Sequence, residues 1–308
     1  MSDTDRFCDM NFDMKNCTLC PRRCGADRTV SVGVCGIGDR IRVARAALHM
    51  WEEPCISGTR GSGAVFFSGC AMKCSFCQNL PISGGCYGAD ITESRFEEIL
   101  FELKDAGAHN INLVTASHQL PLIIGTLEKV KKSLGIPIVY NCGGYESPEQ
   151  LAMLCGIVDV YLPDFKFFGA DIAEKYASAP DYREVAERAV AEMVRQTGKC
   201  VIENGLLVKG TMVRHLILPG HRDDSKKIVD RLAELFPNRE IMLSLMSQYT
   251  PVKGGGGPSR RLTTFEYRSV AELVEKYGFD GYFQERSSAK EEYTPPFDLS
   301  GVVSDKKE

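Results

Sequence analysis

Three cysteines, Cys70, Cys74 and Cys77, follow the apolar run Ala64-Val65-Phe66-Phe67-Ser68-Gly69 in the spacing C-x3-C-x2-C. The run reads as a buried strand that Gly69 ends, and the loop after it holds three thiolates around one centre at the strand's C-terminal end. Three soft ligands suit a [4Fe-4S] cubane with one iron left open for a small ligand, much as a catalytic zinc site keeps one position free. The other reading is a zinc loop completed by a distant fourth ligand. A second group lies upstream: Cys17, Cys20, Cys24 and Cys35, spaced C-x2-C-x3-C-x10-C. Four soft ligands on two tight turns close a site by themselves, in a stretch with too few large apolar residues to order by burial alone. Structural zinc and an auxiliary Fe–S cluster both satisfy those ligands, so this second metal stays open between them.

The remaining cysteines of the thirteen, Cys8, Cys55, Cys86, Cys142, Cys155 and Cys200, are scattered and read as small buried or incidental thiols. Clustered thiols of this kind point to metal rather than to disulfides, and so to a reducing, cytoplasmic setting. The N-terminus is polar and acidic, unlike a signal peptide, and no apolar run reaches the ~18 residues of a membrane span. A net charge of −4 over 308 residues gives no global field toward nucleic acid or an anionic membrane. Six arginines in and after the upstream cysteine group (Arg22, Arg23, Arg28, Arg40, Arg42, Arg45) read as a solvated face or as a site for an acidic partner.

The pattern Gly69-Cys70-x3-Cys74-x-Phe76-Cys77-x-Asn79 after a strand resembles the cluster motif of the radical S-adenosylmethionine (SAM) enzymes. The N-terminal cysteine cap, Val160-Tyr161-Leu162-Pro163-Asp164-Phe165-Lys166-Phe167 and Leu245-Met246-Ser247-Gln248-Tyr249-Thr250-Pro251 resemble its subgroup of pyruvate formate-lyase activating enzyme-like proteins. The resemblance implies a [4Fe-4S] cluster on Cys70, Cys74 and Cys77 whose open iron is chelated by the amino and carboxylate groups of SAM. It implies an oxidoreductase in which one electron cleaves SAM to methionine and a 5′-deoxyadenosyl radical that abstracts a substrate hydrogen. A glycyl-radical-enzyme activase is one reading of the substrate. Modification of a peptide, RNA or metabolite is the alternative, and a non-catalytic Fe–S or zinc scaffold or electron carrier is a third reading from another class. An electron donor such as flavodoxin or ferredoxin is implied, and a protein or peptide substrate would thread a loop into the barrel mouth.

The same resemblance places Asp164, Lys166 and Arg214 against SAM. Asn141 stands where the subgroup has an aspartate that helps bind SAM and a monovalent cation. Many radical SAM enzymes carry Gly-Gly-Glu after the second strand to grip the SAM amino group. This chain instead has Thr115-Ala116-Ser117-His118, which leaves Thr115, Ser117 or backbone carbonyls for that contact. Independently of any family, Lys166 and Arg214 are fixed cations able to hold an amino-acid carboxylate, and Asp164 can orient the lysine. Gln248 offers neutral hydrogen bonds and Tyr249 a stacking face. His118 reads as a titrating group on the substrate side or as a helix cap. The glycine-rich stretch 253–258 reads as a lid or flexible connector, and Gln284-Glu285-Arg286 as substrate-facing.

To position these residues the chain needs strands that deliver every such loop to one end. Strand-like runs at 111–115, 136–140, 157–162, 212–218, 241–246 and 281–283 alternate with helical patterns near 94–106, 121–130, 147–154, 181–196, 224–236 and from Thr263. Capping boxes at Ser94…Glu97 and Thr263…Glu266 and the Ser147-Pro148 pair mark helix starts. The expected architecture is α/β: a partial (β/α)6-7 TIM-like barrel over 58–289, with a small N-terminal cysteine-rich metal-binding cap and connector over 1–57 and a disordered tail over 290–308. Residues 41–57 are expected to be a strand-and-turn connector.

Overall fold

A computed structural model describes residues 12–84, 87–252, 254–284 and 295–303; Cys8, Cys86, Lys253 and the Glu285-Arg286 pair lie outside the described residues. After the turns of the cap come β1 (Ile41–His49), α1 (Pro54–Ser57), β2 (Ser62–Phe67), α2 (Leu80–Ser83), β3 (Ala89–Ile91) and α3 (Glu93–Asp105). Strand and helix then alternate through β4 (Ile111–Val114), α4 (Leu120–Leu134), β5 (Ile138–Cys142), α5 (Pro148–Ala152) and β6 (Val160–Pro163). Two helices follow, α6 (Ala170–Ala177) and α7 (Tyr182–Thr197), and then β7 (Val201–Glu203), β8 (Leu206–Leu216), α8 (Arg222–Leu235), β9 (Ile241–Met246), α9 (Thr264–Tyr277) and β10 (Gly281–Phe283).

The strands lie in the order β10-β9-β8-β6-β5-β4-β2-β1-β3. From β2 to β10 each neighbour pairs in parallel, and β1 and β3 extend the β2 edge antiparallel. This is the expected α/β partial TIM-like barrel, open between its two edges among the described residues. β2, β4, β5, β6 and β9 are buried at every position, because helices cover one face and the barrel interior fills the other. On the outside, α3 and α4 bring Phe96, Leu100, Ile123 and Leu127 onto one half of the sheet, and α7, α8 and α9 bring Val190, Ile228, Leu232 and Val270 onto the other. Each such side chain contributes about 1.5–3 kcal/mol on burial.

Local chemistry sets the helix starts. Ser147 with Gln150, and Thr263 with Glu266, form capping boxes for α5 and α9. The cap of α3 is Thr92, whose hydroxyl accepts from Arg95 N, so the expected Ser94…Glu97 box gives way to a start two residues earlier.

Residues 41–49 form the strand of the expected strand-and-turn connector, nine residues long, which pairs along the edge of β2. The rest of the architecture departs from the sequence reading in two places. Residues 295–303, read as part of a disordered tail, lie along β1: Leu299 N donates to Ala44 O at 3.2 Å, Ala46 N donates to Ser300 O at 2.9 Å, and Val302 is fully buried. Arg45 pairs with Asp298 at 2.6 Å, and Phe297 stands edge-on to Phe66 with centroids 5.7 Å apart. Finally, the stretch after β9, read as a lid, lies against the loop that carries Cys74 and Cys77. Gly256 N donates to Ser75 O at 3.0 Å, and a Cβ at Gly257 would fall 2.6 Å from Phe76 Cβ. Its glycines serve close approach rather than motion.

Candidate active site

The site is assembled from loops at the C-terminal ends of the parallel strands, as expected for this architecture. Behind β2, Gly69 takes φ +84°, and a Cβ there would lie 2.6 Å from both Cys35 O and Ile37 Cγ1. Only glycine lets the chain turn so close to the cap. Cys70 N donates to Cys35 O at 3.1 Å, so the last cysteine of the upstream group is bonded to the first of the motif group. Arg22 fastens the same joint: Nε donates to Ala71 O at 3.0 Å, Nη2 to Ala177 O at 2.6 Å and Nη1 to Ser178 O, with the guanidinium 5.3 Å from the Tyr145 ring. Arg28 is 1 % exposed and donates to Gly38 O and His118 O. These two arginines are internal staples, and Arg42 and Arg45 pair with Asp90 and Asp298, so four of the six do not form a face for an acidic partner.

Cys70, Cys74 and Cys77 line one cavity of about 250 Å3, and Thr115, Ser117, Asn141, Asp164, Lys166, Arg214 and Gln248 line it too. Cys17, Cys20, Cys24 and Cys35 lie outside it, in the cap. Burial, reinforced by the neighbouring cysteines, pushes the Cys74 and Cys77 thiols up to about 12 and 11. A soft cationic group would reverse that penalty and take the thiolates, so the donor set and its apolar surround fit an Fe–S cluster. In the cap, burial pushes Cys20 up to about 11, with Cys35, Cys17 and Cys24 adding to it, and Gly33 sits where a Cβ would lie 3.4 Å from Cys35 Sγ and 3.5 Å from Cys24 Sγ. Among the described residues no three His, Cys, Asp or Glu side chains form a ready cage for a single ion.

A charged network forms the floor. Arg214 Nε donates to Asp164 Oδ1 at 2.9 Å, Nη1 to Glu52 Oε1 at 2.8 Å and Nη2 to Asn141 Oδ1 at 2.7 Å. Lys166 Nζ donates to Asp164 Oδ2. Glu52 Oε2 accepts from Asn112 and Asn141 at 3.0 and 2.9 Å. Asn141 therefore both donates and accepts within the network, which an aspartate could not do, and this explains the amide at that position. Burial alone would raise the Asp164 carboxyl, but the Arg214 and Lys166 charges outweigh it and hold it below the usual range. Thr115 is a β-branched residue at φ +59°, held by Thr115 N donating to Asn141 O at 2.8 Å. Backbone strain of this kind, worth about 1–3 kcal/mol, is typical of functional loops.

Two residues leave the roles expected of them. His118 is 2 % exposed with Nε2 2.7 Å from Ser68 O, and burial lowers it to about 4. It is neutral near pH 7, so it is a buried strut rather than a titrating acid or base. Tyr249 is buried against Phe76 and donates to Pro258 O at 2.7 Å, so it packs the glycine stretch instead of offering a free face. Sequence reasoning missed Glu52, Glu53 and Glu146, since acids in a connector or a turn carry no periodic signal.

Glu53 is 3 % exposed; Oε1 accepts from Ser244 at 2.8 Å and Oε2 has no partner. Burial pushes its carboxyl up from 4.5 to about 7, against the pull of Arg214. The folded state therefore binds the proton more tightly, and the stability this confers is complete below about pH 4.5 and lost as the pH rises through 7. Glu53→Gln is expected to leave the thermal midpoint at pH 5 unchanged and to raise stability at pH 8 by up to about 3 kcal/mol. A lower midpoint for the variant at pH 8 would contradict this account.

Solved structures of Streptococcus suis SuiB share the fold. The structure bound to S-adenosylmethionine aligns with a TM-score of 0.50 and 13% identity over 70% of this chain and 48% of its own. The structure bound to the precursor peptide SuiA gives 0.50 and 13% over 70% and 46%. The chain thus spans about half the length of these structures. No protein-family model matches it. It belongs to the family of the uncharacterized protein MJ0674 of Methanocaldococcus jannaschii, to which it is 31% identical over 281 residues, covering 86% of this chain and 76% of that protein. No helix among the described residues is long and apolar enough to cross a membrane.

Proposed function

We propose that the chain is a radical SAM enzyme, with Cys70, Cys74 and Cys77 holding a [4Fe-4S] cluster and SAM occupying the cavity beside it. The observation that carries this reading is the meeting of the three cysteines with Asp164, Lys166, Arg214, Asn141 and Gln248 around one cavity, from five different strand ends. When bound, the reduced cluster supplies the electron that breaks the sulfonium S–C bond of SAM, giving methionine and a 5′-deoxyadenosyl radical that takes a substrate hydrogen. The chain's own part is to bind, orient and keep water out. Lys166, steadied by Asp164, offers the positive charge for an amino-acid carboxylate, while Arg214 is committed to Glu52, Asp164 and Asn141 and acts as the strut that sets Asp164. Phe66, Val114, Leu216 and Met246 supply apolar walls that protect a reactive intermediate.

A peptide or protein segment is the substrate class we favour, of which a glycyl radical enzyme's glycine loop is one case. The support is the shared fold of SuiB, which has been solved with a precursor peptide. In the cap, Cys17, Cys20, Cys24 and Cys35 hold a second group, zinc or an Fe–S cluster. A low-potential one-electron carrier such as flavodoxin or ferredoxin supplies the reductant. The test is anaerobic reconstitution with iron and sulfide, reduction with dithionite and quantification of 5′-deoxyadenosine on adding SAM. Formation of 5′-deoxyadenosine is expected; a spectroscopically intact cubane that yields none, and whose reduced EPR signal SAM leaves unchanged, would support the scaffold reading instead.

A further inference from the structure

The two turns of the cap hold neighbouring residues of the cluster loop. From the first turn, between Cys20 and Cys24, Arg22 Nε donates to Ala71 O at 3.0 Å; on the second, Cys35 O accepts from Cys70 N at 3.1 Å. The backbone at the first cluster ligand therefore follows the spacing of these turns. Each turn closes on itself, Arg23 N donating to Cys20 O at 2.9 Å and Gly36 N to Gly33 O at 2.8 Å. Burial does little for the stretch between them, where Val30, Val32 and Val34 are all exposed. A metal shared by Cys17, Cys20 and Cys24 on one turn and Cys35 on the other would bond the two directly. Cys24 and Cys35 already bring their sulfurs within 3.5 Å of the Cβ position at Gly33.

Arg22 also reaches the far half of the loop. Its Nη2 and Nη1 donate to Ala177 O and Ser178 O at the end of α6, where helix carbonyls lack partners and carry partial negative charge. Ser75 N donates to Tyr176 O, in the same turn of α6, at 2.8 Å. The loop from Cys70 to Ser75, with Cys74 inside it, is thus clamped between cap and helix, and one guanidinium joins the two jaws.

Resting on the two-metal reading above, we propose that Arg22 is a positioning residue that couples the two sites: the cap metal sets the loop on which the cubane forms, and the cap must be filled for Cys70, Cys74 and Cys77 to keep their cluster. Linkage makes the coupling equal in both directions, so the order comes from ligand number. Four thiolates close a site by themselves and hold their metal without the neighbour. Three leave one corner open and depend on the loop that presents them. Metal supply to the cap then governs whether the chain carries a working cluster.

The test uses the full chain, reconstituted anaerobically with iron, sulfide and zinc, desalted and challenged with a ferrous chelator. Metal per chain and the rate of iron loss are read, and Cys74→Ala marks the metal held by the cap alone. That variant should keep its cap metal in full. Cys20→Ser combined with Cys24→Ser should lose the cap metal and shed motif-site iron about 10-fold faster than wild type, an ordinary coupling factor. Arg22→Ala retains all seven clustered cysteines. It should keep the cap metal and still shed motif-site iron about 10-fold faster, with Arg22→Lys in between, since an ammonium cannot span three carbonyls. A wild-type rate of iron loss in Arg22→Ala overturns the proposal, whether or not the double variant folds. So does a Cys74→Ala protein that loses its cap metal as well. Cys74→Ala with the metal content of wild type removes the motif cluster, and with it the SAM reading, a result distinct from a cluster that forms and ignores the cap.

Discussion

Replacing Cys74 by alanine should reduce 5′-deoxyadenosine formation to the background of dithionite and SAM alone, while the protein still folds. Cys74 is buried, and its thiol is pushed up to about 12, so without a cluster it is a neutral thiol among apolar neighbours. Removing one such sulfur leaves a small void at a cost of about 1 kcal/mol, well within the 5–15 kcal/mol that hold a domain together. The loss for the cluster is of another kind. In the proposed site two thiolates would replace three, and a cubane so held would lose iron and the geometry that directs its open corner. Cys55→Ala is the matched control: Cys55 is fully buried, but it packs with Met212 and Val160 away from the cavity. Iron content and 5′-deoxyadenosine should fall together in the first variant and hold in the second. Undiminished product from Cys74→Ala would remove Cys74 from the ligand set.

The second large effect concerns Arg214. Its side chain is 13 % exposed, and Arg214→Ala leaves the carboxylates of Glu52 and Asp164 without their shared cation. Breaking a buried pair in this way costs about 3–5 kcal/mol, since the remaining charges stay desolvated. Its pH dependence follows from Asp164. Burial raises that carboxyl, Arg214 and Lys166 more than offset it, and the net depression means the pairing stabilises the fold above the ordinary carboxylate range. That contribution is lost as the pH falls through the depressed folded value. Urea denaturation should therefore show the widest gap between wild type and variant at pH 7, narrowing toward pH 3 as Asp164 protonates. A gap that widens in acid would show that Arg214 acts through packing alone. Arg214→Lys should recover part of the loss, because an ammonium restores the charge without the fork that reaches Asp164, Glu52 and Asn141 at once.

Much of the barrel is written in local pattern. Strands buried on both faces give near-continuous apolar runs such as Ile241–Met246, interrupted only by Ser244, and amphipathic helices such as Tyr182–Thr197 give a clear helical period. The cysteine loop was legible because thiolates at that spacing have few other uses. What escaped was non-local or rested on satisfaction of buried polar groups. Glu52 and Glu146 acquire meaning only once Arg214 and Ser117 arrive from distant strands. Arg22 and Arg28 look like surface charge until backbone carbonyls from the barrel meet them. The glycines after β9 resemble a flexible connector until Ser75 and Phe76 are seen against them. One local signal was legible and passed over: Asn204-Gly205 between Val201–Glu203 and Leu206 marks the β7–β8 hairpin, so β8 begins before Met212.

The pairing of residues 295–303 with β1 imposes an order on biosynthesis. Arg45 and Asp298 are 253 residues apart, so the outer edge of β1 is completed by a segment synthesised long after it. Until then β1 presents the Ala46 amide and the Ala44 carbonyl unsatisfied to any passing strand, a period of exposure that a growing chain must survive. Contacts of such high sequence separation also slow the final closure, because the entropy of the long loop is lost before the edge is gained. The nascent protein thus reaches its finished wall late, and Pro295 comes to the cavity with it.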